Sequence, residues 1–201
     1  MIAPPVFEAA LAEAKAWHAA LPEAAAFCDW PDDLRYDDRA PRHLNATKQV
    51  QAAPGASSAK SKPLLLALQA LAPQLEWRHT YTAEEVGQHF LDHFGWFELA
   101  GPTGHFVTQK TRITVGYWGP GLHYGRHHHN AEELYTVVSG HGVFHLDDAE
   151  DLTLFAGGTR YHASNRPHAL TTTDSPIFTL VFWRGDGLAD APQMTQEEGP
   201  L

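Results

Sequence analysis

The stretch Gly121-Leu-His-Tyr-Gly-Arg-His127-His128-His129-Asn-Ala-Glu-Glu133-Leu-Tyr135-Thr-Val-Val-Ser-Gly140 decides how this chain is read. Successive side chains of an extended strand point to opposite faces, so His127 and His129 share one face and His128 takes the other. Asn130 to Glu132 reads as a turn, after which Glu133 opens a second strand that Gly140 ends. Two imidazoles and a carboxylate then converge, a donor set that suits Zn, Fe, Mn or Ni and leaves a coordination position open. Tyr135 lies two residues beyond Glu133 and shares its face. A nearby divalent cation favours the anion of such a phenol, making it a base or even a ligand. Tyr124, just ahead of the histidine run, is a further candidate for the same cavity.

Working outward, the sequence after Trp96 consists of short β-branched and aromatic runs separated by Gly, Asp, Asn and Pro. Strands are expected at Thr111 to Tyr117, Glu133 to Val138, Gly142 to Leu146, Leu152 to Phe155, Ala169 to Thr173 and Ile177 to Trp183. That spacing, with tight turns such as Leu146 to Glu150, predicts an antiparallel sandwich or barrel over residues 96–189. Trp183 ends the final strand. The acidic segment from Asp190 to Leu201 has little apolar content and is expected to fray.

Residues 1–95 have a different texture and are expected to form a helical region packed on the barrel. Phe7, Leu11, Ala14, Trp17 or His18, and Leu21 recur every three or four residues, the pattern of an amphipathic helix. Asp29 to Ser61 is rich in Pro, Asp, Ser and Ala and reads as loop, mobile near Ser57, where it could form a lid. A second helix is expected from Ser61 through Leu64, Leu65, Leu68 and Leu71, with Pro63 in its first turn. A third begins at the capping box Thr82-Ala83-Glu84-Glu85, carries Val86, Phe90 and Phe94 four apart, and stops at Gly95.

Composition narrows the function classes. At 201 residues the chain is sized for one domain. A formal charge of -10, with no Lys/Arg cluster, disfavours nucleic acid. No stretch approaches a membrane span and the N-terminus has no basic start before an apolar run, so a cytoplasmic protein without a membrane partner is expected. Oligomerisation as identical copies is compatible with the sequence. The lone Cys28 cannot form an internal disulfide and is expected to be a small buried hydrophobe. His18, His43, His79, His89, His93, His105, His141 and His145 are assigned to structure or solvent.

The block from Gly121 to Gly140 matches the first motif of the cupins, Gly-x5-His-x-His-x3-Glu-x6-Gly, at every fixed position. The fold class expected is therefore mostly β, a cupin (a small antiparallel β-barrel or jelly roll) with an N-terminal helical region. The second cupin motif, Pro-x-Gly-x2-His-x3-Asn, is degraded here to Phe155-Ala-Gly-Gly-Thr-Arg-Tyr161-His162-Ala-Ser-Asn165-Arg-Pro167-His168. Both His162 and His168 compete for the remaining ligand position. His168, directly before the last two strands, is favoured, with His162 at the rim or behind the ligands.

Tyr124, the block His127-x-His129-x3-Glu133-x-Tyr135-Thr-Val-Val-Ser-Gly140, and Tyr161-His162-x4-Pro167-His168-Ala together resemble the short cupin-type dimethylsulfoniopropionate (DMSP) lyases over essentially the whole chain. The resemblance implies a metal held by His129, Glu133 and His168, with Tyr135 close enough to coordinate it. It also implies Tyr135 as general base and Tyr124 and His127 in the substrate pocket, His127 being either ligand or pocket residue. The implied reaction is β-elimination of DMSP to dimethyl sulfide and acrylate. Tyr124 and Trp183 offer aromatic faces to the sulfonium. A cupin dioxygenase or isomerase, and a metal or small-molecule sensor without catalysis, are the alternatives.

Overall fold

A computed structural model describes residues 2–195. Helix α1 (Pro5–Ala20) buries Phe7, Ala10, Ala14, Trp17 and His18, the stripe its periodicity requires. Pro22 starts α2 (Pro22–Phe27), because proline fits the first turn of a helix where its missing N–H is not needed. The segment expected to be loop contains two elements: strand β1 (Arg35–Tyr36) and helix α3 (Asn45–Ala52), whose buried side chains are Ala46, Thr47 and Val50. Helix α4 (Lys62–Leu71) follows as expected and buries all four of its anticipated leucines.

The third expected helix divides. Thr82 caps α5 (Ala83–Val86), Gly87 adopts φ 81° and breaks the helix, and α6 (Gln88–His93) restarts it. Phe94 and Gly95 do not end this helix but open strand β2 (Phe94–Gly101). The remaining strands are β3 (Phe106–Val107), β4 (Arg112–Trp118), β5 (His123–His128), β6 (Glu132–Leu146), β7 (Ala149–Phe155), β8 (Thr159–His162), β9 (His168–Thr171), β10 (Ile177–Arg184) and β11 (Gln193–Met194).

The strands pair in the order β1-β3-β2-β4-β10-β6-β9-β5-β11, with β7 and β8 also on β6. Pairings are antiparallel except β2 with β3. Strand β6 belongs to two layers: its first half pairs β10 and β8, its second half β7 and β9. This is the double-stranded β-helix of the cupins, carrying an N-terminal helical region.

Gly140 does not end a strand; it bends β6 from one layer into the other. Its φ is +72°, and a Cβ there would stand 1.7 Å from the Pro176 carbonyl oxygen. Its N–H donates to the Ala56 carbonyl at 2.8 Å, while the Ser139 hydroxyl donates to the Pro54 carbonyl at 2.6 Å. The Ser57 segment expected to be mobile is thus bridged to Ser139 and strapped along β6. The tail expected to fray from Asp190 is paired as far as β11, where Gln193 faces His128 and Met194 faces His127. Residues 196–201 lie outside the described residues.

Alternation along the strands separates two cores. Leu134 and Val138 of β6, Phe178, Leu180 and Phe182 of β10, and Ile113, Val115 and Tyr117 of β4 face the helices. The intervening Tyr135, Val137, Val181, Trp183 and Trp118 face into the barrel. Trp17 of α1 donates its indole N–H to Thr136 at 2.9 Å, and Thr136 donates to the Leu180 carbonyl at 2.6 Å. The helices therefore fix the outer face of β6, and thereby the placement of Glu133 and Tyr135 on its inner one.

Candidate metal centre

Glu133 enters the barrel near the start of β6 and is 1 % exposed. Its Oε2 lies 3.2 Å from His129 Nε2, 3.3 Å from His168 Nε2 and 2.9 Å from His162 Nδ1. Each histidine arrives by a separate route. His129 follows the end of β5, where its Nδ1 is held at 2.7 Å by the Ala131 carbonyl. His168 opens β9 and pairs in register with His127, its Nδ1 held by the Arg166 carbonyl at 2.9 Å. His162 ends β8 opposite Glu133. In both His129 and His168 the backbone carbonyl engages Nδ1, which fixes the tautomer and leaves Nε2 as the inward donor atom.

His129, Glu133 and His168 offer donor atoms that all lie within 4.8 Å of one another, and all three residues are buried. The Nε2 atoms of His168 and His162 are buried without a hydrogen-bond partner among the described residues, despite the nearness of Glu133 to His168. Such atoms are costly unless something accepts their lone pairs, and a cation does so. The donor chemistry and the inward-facing, unpartnered nitrogen both fit a divalent or transition metal ion.

His127 is 2 % exposed but lies outside this donor group. Its Nδ1 engages the Gly125 carbonyl at 2.9 Å, and its ring stacks on Tyr124 with centroids 3.9 Å apart. His128 points the other way, as the period of two requires, and meets Thr195 at 2.9 Å. His162 sits behind the donors rather than at the rim, stacked on His168 at 3.8 Å. Cys28 is half-buried, not buried, with no disulfide.

Glu133 is the carboxylate of the donor cluster. Burial would raise its pKa, yet the charge and hydrogen bond of His129, then the hydrogen bond of His162 and the nearness of His168, hold it well below the usual carboxylate range. For His129 burial works against protonation, and the Glu133 carboxylate reverses that and raises its pKa. Burial, then the neighbouring His168, drives His127 well below the usual imidazole value and His162 down to about 4. Burial and then the Glu133 charge push the Tyr135 phenol well above its ordinary value.

Above this floor lies a narrow pocket of about 50 Å³, whose walls include Phe94, Trp118, Tyr124, Tyr135, Arg112 and Trp183. Trp183 is less available to a cation than its sequence position implies. The Arg112 guanidinium already lies 5.4 Å from its ring centroid, and the His129 ring packs against it at 4.5 Å. Arg112 is anchored by Glu98, which accepts from its Nε at 3.0 Å. Phe94 and Trp118 escaped the sequence reading because one was taken for a helix end and the other fell past an expected strand. Arg112 was hidden among apolar neighbours, where only its place on the inward period of β4 could have marked it.

A buried cluster of two histidines and a glutamate at the base of an aromatic pocket, inside a double-stranded β-helix, defines a cupin with a donor set that could hold a metal ion. Its relatives identify the family more narrowly. The chain belongs to the dimethylsulfoniopropionate lyase family, whose sequence profile matches residues 26–179. It is 33% identical over 197 residues to dimethylsulfoniopropionate lyase DddQ of Ruegeria pomeroyi, covering 98% of each chain. The crystal structure of DMSP lyase DddQ from Ruegeria pomeroyi DSS-3 superposes with a TM-score of 0.90, at 32% identity over 98% of this chain and all of that one. A chain from the crystal structures of the DMSP lyases RdDddP and RnDddQII is 56% identical, with a TM-score of 0.93, covering 95% of this chain and 98% of its own. Among the described residues no helix is long and apolar enough to cross a membrane.

Proposed function

We propose that this chain cleaves DMSP to dimethyl sulfide and acrylate by β-elimination, with Tyr135 as general base. The observation that carries the reading is the shared inward face of β6. Glu133, gripped by His129 and His168, and Tyr135, two residues on, line one pocket in a member of the DMSP lyase family.

His129, Glu133 and His168 are the residues that would hold the metal ion, with Tyr135 a further candidate and His127 beside them. Such an ion, Zn, Fe, Mn or Ni by donor chemistry, supplies Lewis-acid polarisation of the substrate carboxylate. Tyr135 takes a proton from the carbon next to that carboxylate. The electron pair left behind forms the carbon–carbon double bond as the carbon–sulfur bond breaks. Dimethyl sulfide leaves as a neutral molecule and needs no proton from the protein. Burial and Glu133 disfavour the Tyr135 anion, so the proposed base requires compensating positive charge in the pocket, which the histidine–glutamate donor set is chemically suited to gather.

Tyr124 and Trp118, with ring centroids 6.0 Å apart, and Phe94 give the sulfonium aromatic faces, the role first considered for Tyr124 and Trp183. The setting proposed is cytoplasmic, with a small zwitterionic substrate and neither nucleic acid nor membrane as partner. Incubating metal-loaded protein with DMSP and measuring headspace dimethyl sulfide together with dissolved acrylate tests the reading. Equal amounts of both products are expected. Metal-dependent oxygen consumption without either product would replace it with the dioxygenase alternative.

A further inference from the structure

The capping box at Thr82 to Glu85 fixes more than a helix end. The Thr82 backbone N–H and hydroxyl both donate to Glu85 Oε2, at 2.8 and 2.9 Å. In such a box the residue before the cap packs against the fourth residue of the helix and sets the angle at which the chain enters. Here those residues are Tyr81, which belongs to the apolar cluster inside the barrel, and Val86, which is partly buried and packs against that cluster.

Tyr81 is consequently turned inward and is 7 % exposed. Its hydroxyl lies 2.8 Å from the Tyr124 hydroxyl, and the two rings meet edge to face at 5.8 Å. Tyr124 lines the pocket beside Glu133 and Tyr135, whereas Tyr81 does not. Burial pushes the Tyr81 phenol up to about 12 and Tyr124 well above the usual range, so both are neutral near pH 7. Two neutral phenols share one hydrogen bond, which aims the donor's O–H along the bond and engages a lone pair of the acceptor, so that the acceptor's own O–H must turn elsewhere. The Tyr124 ring is already held by the His127 stack at 3.9 Å and by Phe90 at 5.7 Å. Its hydroxyl is the degree of freedom that Tyr81 removes.

We propose that Tyr81 is a positioning residue: its hydroxyl sets the direction in which the Tyr124 hydroxyl faces the pocket. Tyr81 touches neither the donor cluster nor the pocket, and acts through Tyr124. The catalytic part of the inference rests on the DMSP reading; the pairing of the hydroxyls does not.

The test uses full-length, metal-loaded wild type, Tyr81→Phe, Tyr124→Phe and the double variant, each of which keeps both rings. Tyr81→Phe is expected to lower kcat about tenfold, the worth of one hydrogen bond, with KM held within about threefold and metal content unchanged. The double variant should match Tyr124→Phe, because each single change breaks the same bond. Wild-type kcat in Tyr81→Phe, or effects that multiply in the double variant, would overturn the proposal. Urea unfolding of the same four proteins reads the pairing without substrate. Non-additive stabilities are expected, and strict additivity would overturn it. If wild type releases no dimethyl sulfide while the stabilities remain non-additive, the DMSP reading falls and the positioning of Tyr124 by Tyr81 is supported.

Discussion

Replacing Tyr135 with phenylalanine removes one oxygen from the buried interior of the barrel, and the structure separates the effects of doing so. The ring packs against Phe144 at 5.3 Å, His162 at 5.4 Å and Trp118 at 6.2 Å, and phenylalanine retains all three contacts. Burial and then the Glu133 charge, not a hydrogen bond, set the behaviour of the phenol. Removing the hydroxyl thus orphans no partner, and the stability change should stay within about 1 kcal/mol, a shift of roughly 2–4 °C in Tm for a chain of this size. The donor group of His129, Glu133 and His168 is untouched, so most metal should be retained. Turnover is another matter: loss of a general base typically costs about 10² to 10⁴, roughly 3–5 kcal/mol of transition-state stabilisation. The assay is headspace dimethyl sulfide from DMSP, normalised to bound metal and run beside a melting curve. Near-normal turnover in metal-replete Tyr135→Phe would refute Tyr135 as the base and make Tyr124 the next residue to test.

His168→Ala is expected to lose bound metal, whereas His162→Ala, which removes a nitrogen behind Glu133, should retain most of it; metal analysis showing the reverse would exchange their roles. Gly140→Ala should lower Tm by roughly 6–12 °C, since it adds left-handed strain and a clash with backbone. Gly121→Ala has the same φ of +72° with nothing within 4 Å, so it should cost only about 1–2 kcal/mol, and equal shifts for the two would show that the bend at Gly140 is misread. His105 supplies a pH dependence: burial lowers its pKa from 6.5 to about 4, so the unfolded chain binds a proton before the fold does. Its stabilising contribution is complete above pH 6.5 and is lost as pH falls towards 4, by up to about 3 kcal/mol. Urea unfolding of wild type and His105→Gln between these limits should show the variant losing less stability on acidification.

What the sequence disclosed follows the strength of its periodicities. Ile177 to Trp183 and Thr111 to Tyr117 were legible as strands because β-branched and aromatic residues fill both faces. Strand β5 was legible only through the alternation of His127 to His129 and its bounds were not: His123-Tyr-Gly-Arg-His-His carries hardly any apolar signal, and it is held instead by register with β9 and β11. Helix α3 was hidden for a similar reason, since only Ala46 and Val50 among its apolar side chains reach the core. Phe94 was misassigned because Val86, Phe90 and Phe94 keep the helical spacing of four, while Gly87 had already broken the helix. Local pattern cannot reveal that break without the tertiary pairing of Phe94 with Trp118. The nearness of His129 to Glu133 was readable because they are four residues apart, and the fixed geometry of a turn between strands converts that spacing into proximity. His162 reaches Glu133 through long-range register and Tyr81 reaches Tyr124 through a helix cap, and no spacing within the motif encodes either.

Metal binding by His129, Glu133 and His168 and cleavage of DMSP can be followed together in one titration. Protein stripped of metal is titrated with a single divalent ion while bound metal and the rate of dimethyl sulfide release are measured on the same samples, with His129→Ala and Glu133→Ala in parallel. The rate should rise in proportion to bound metal and level off at about one ion per chain, as a single cluster of three donors requires. Both variants should fold, bind little metal and stay near the blank. A rate independent of bound metal, or full metal stoichiometry in either variant, would contradict the account.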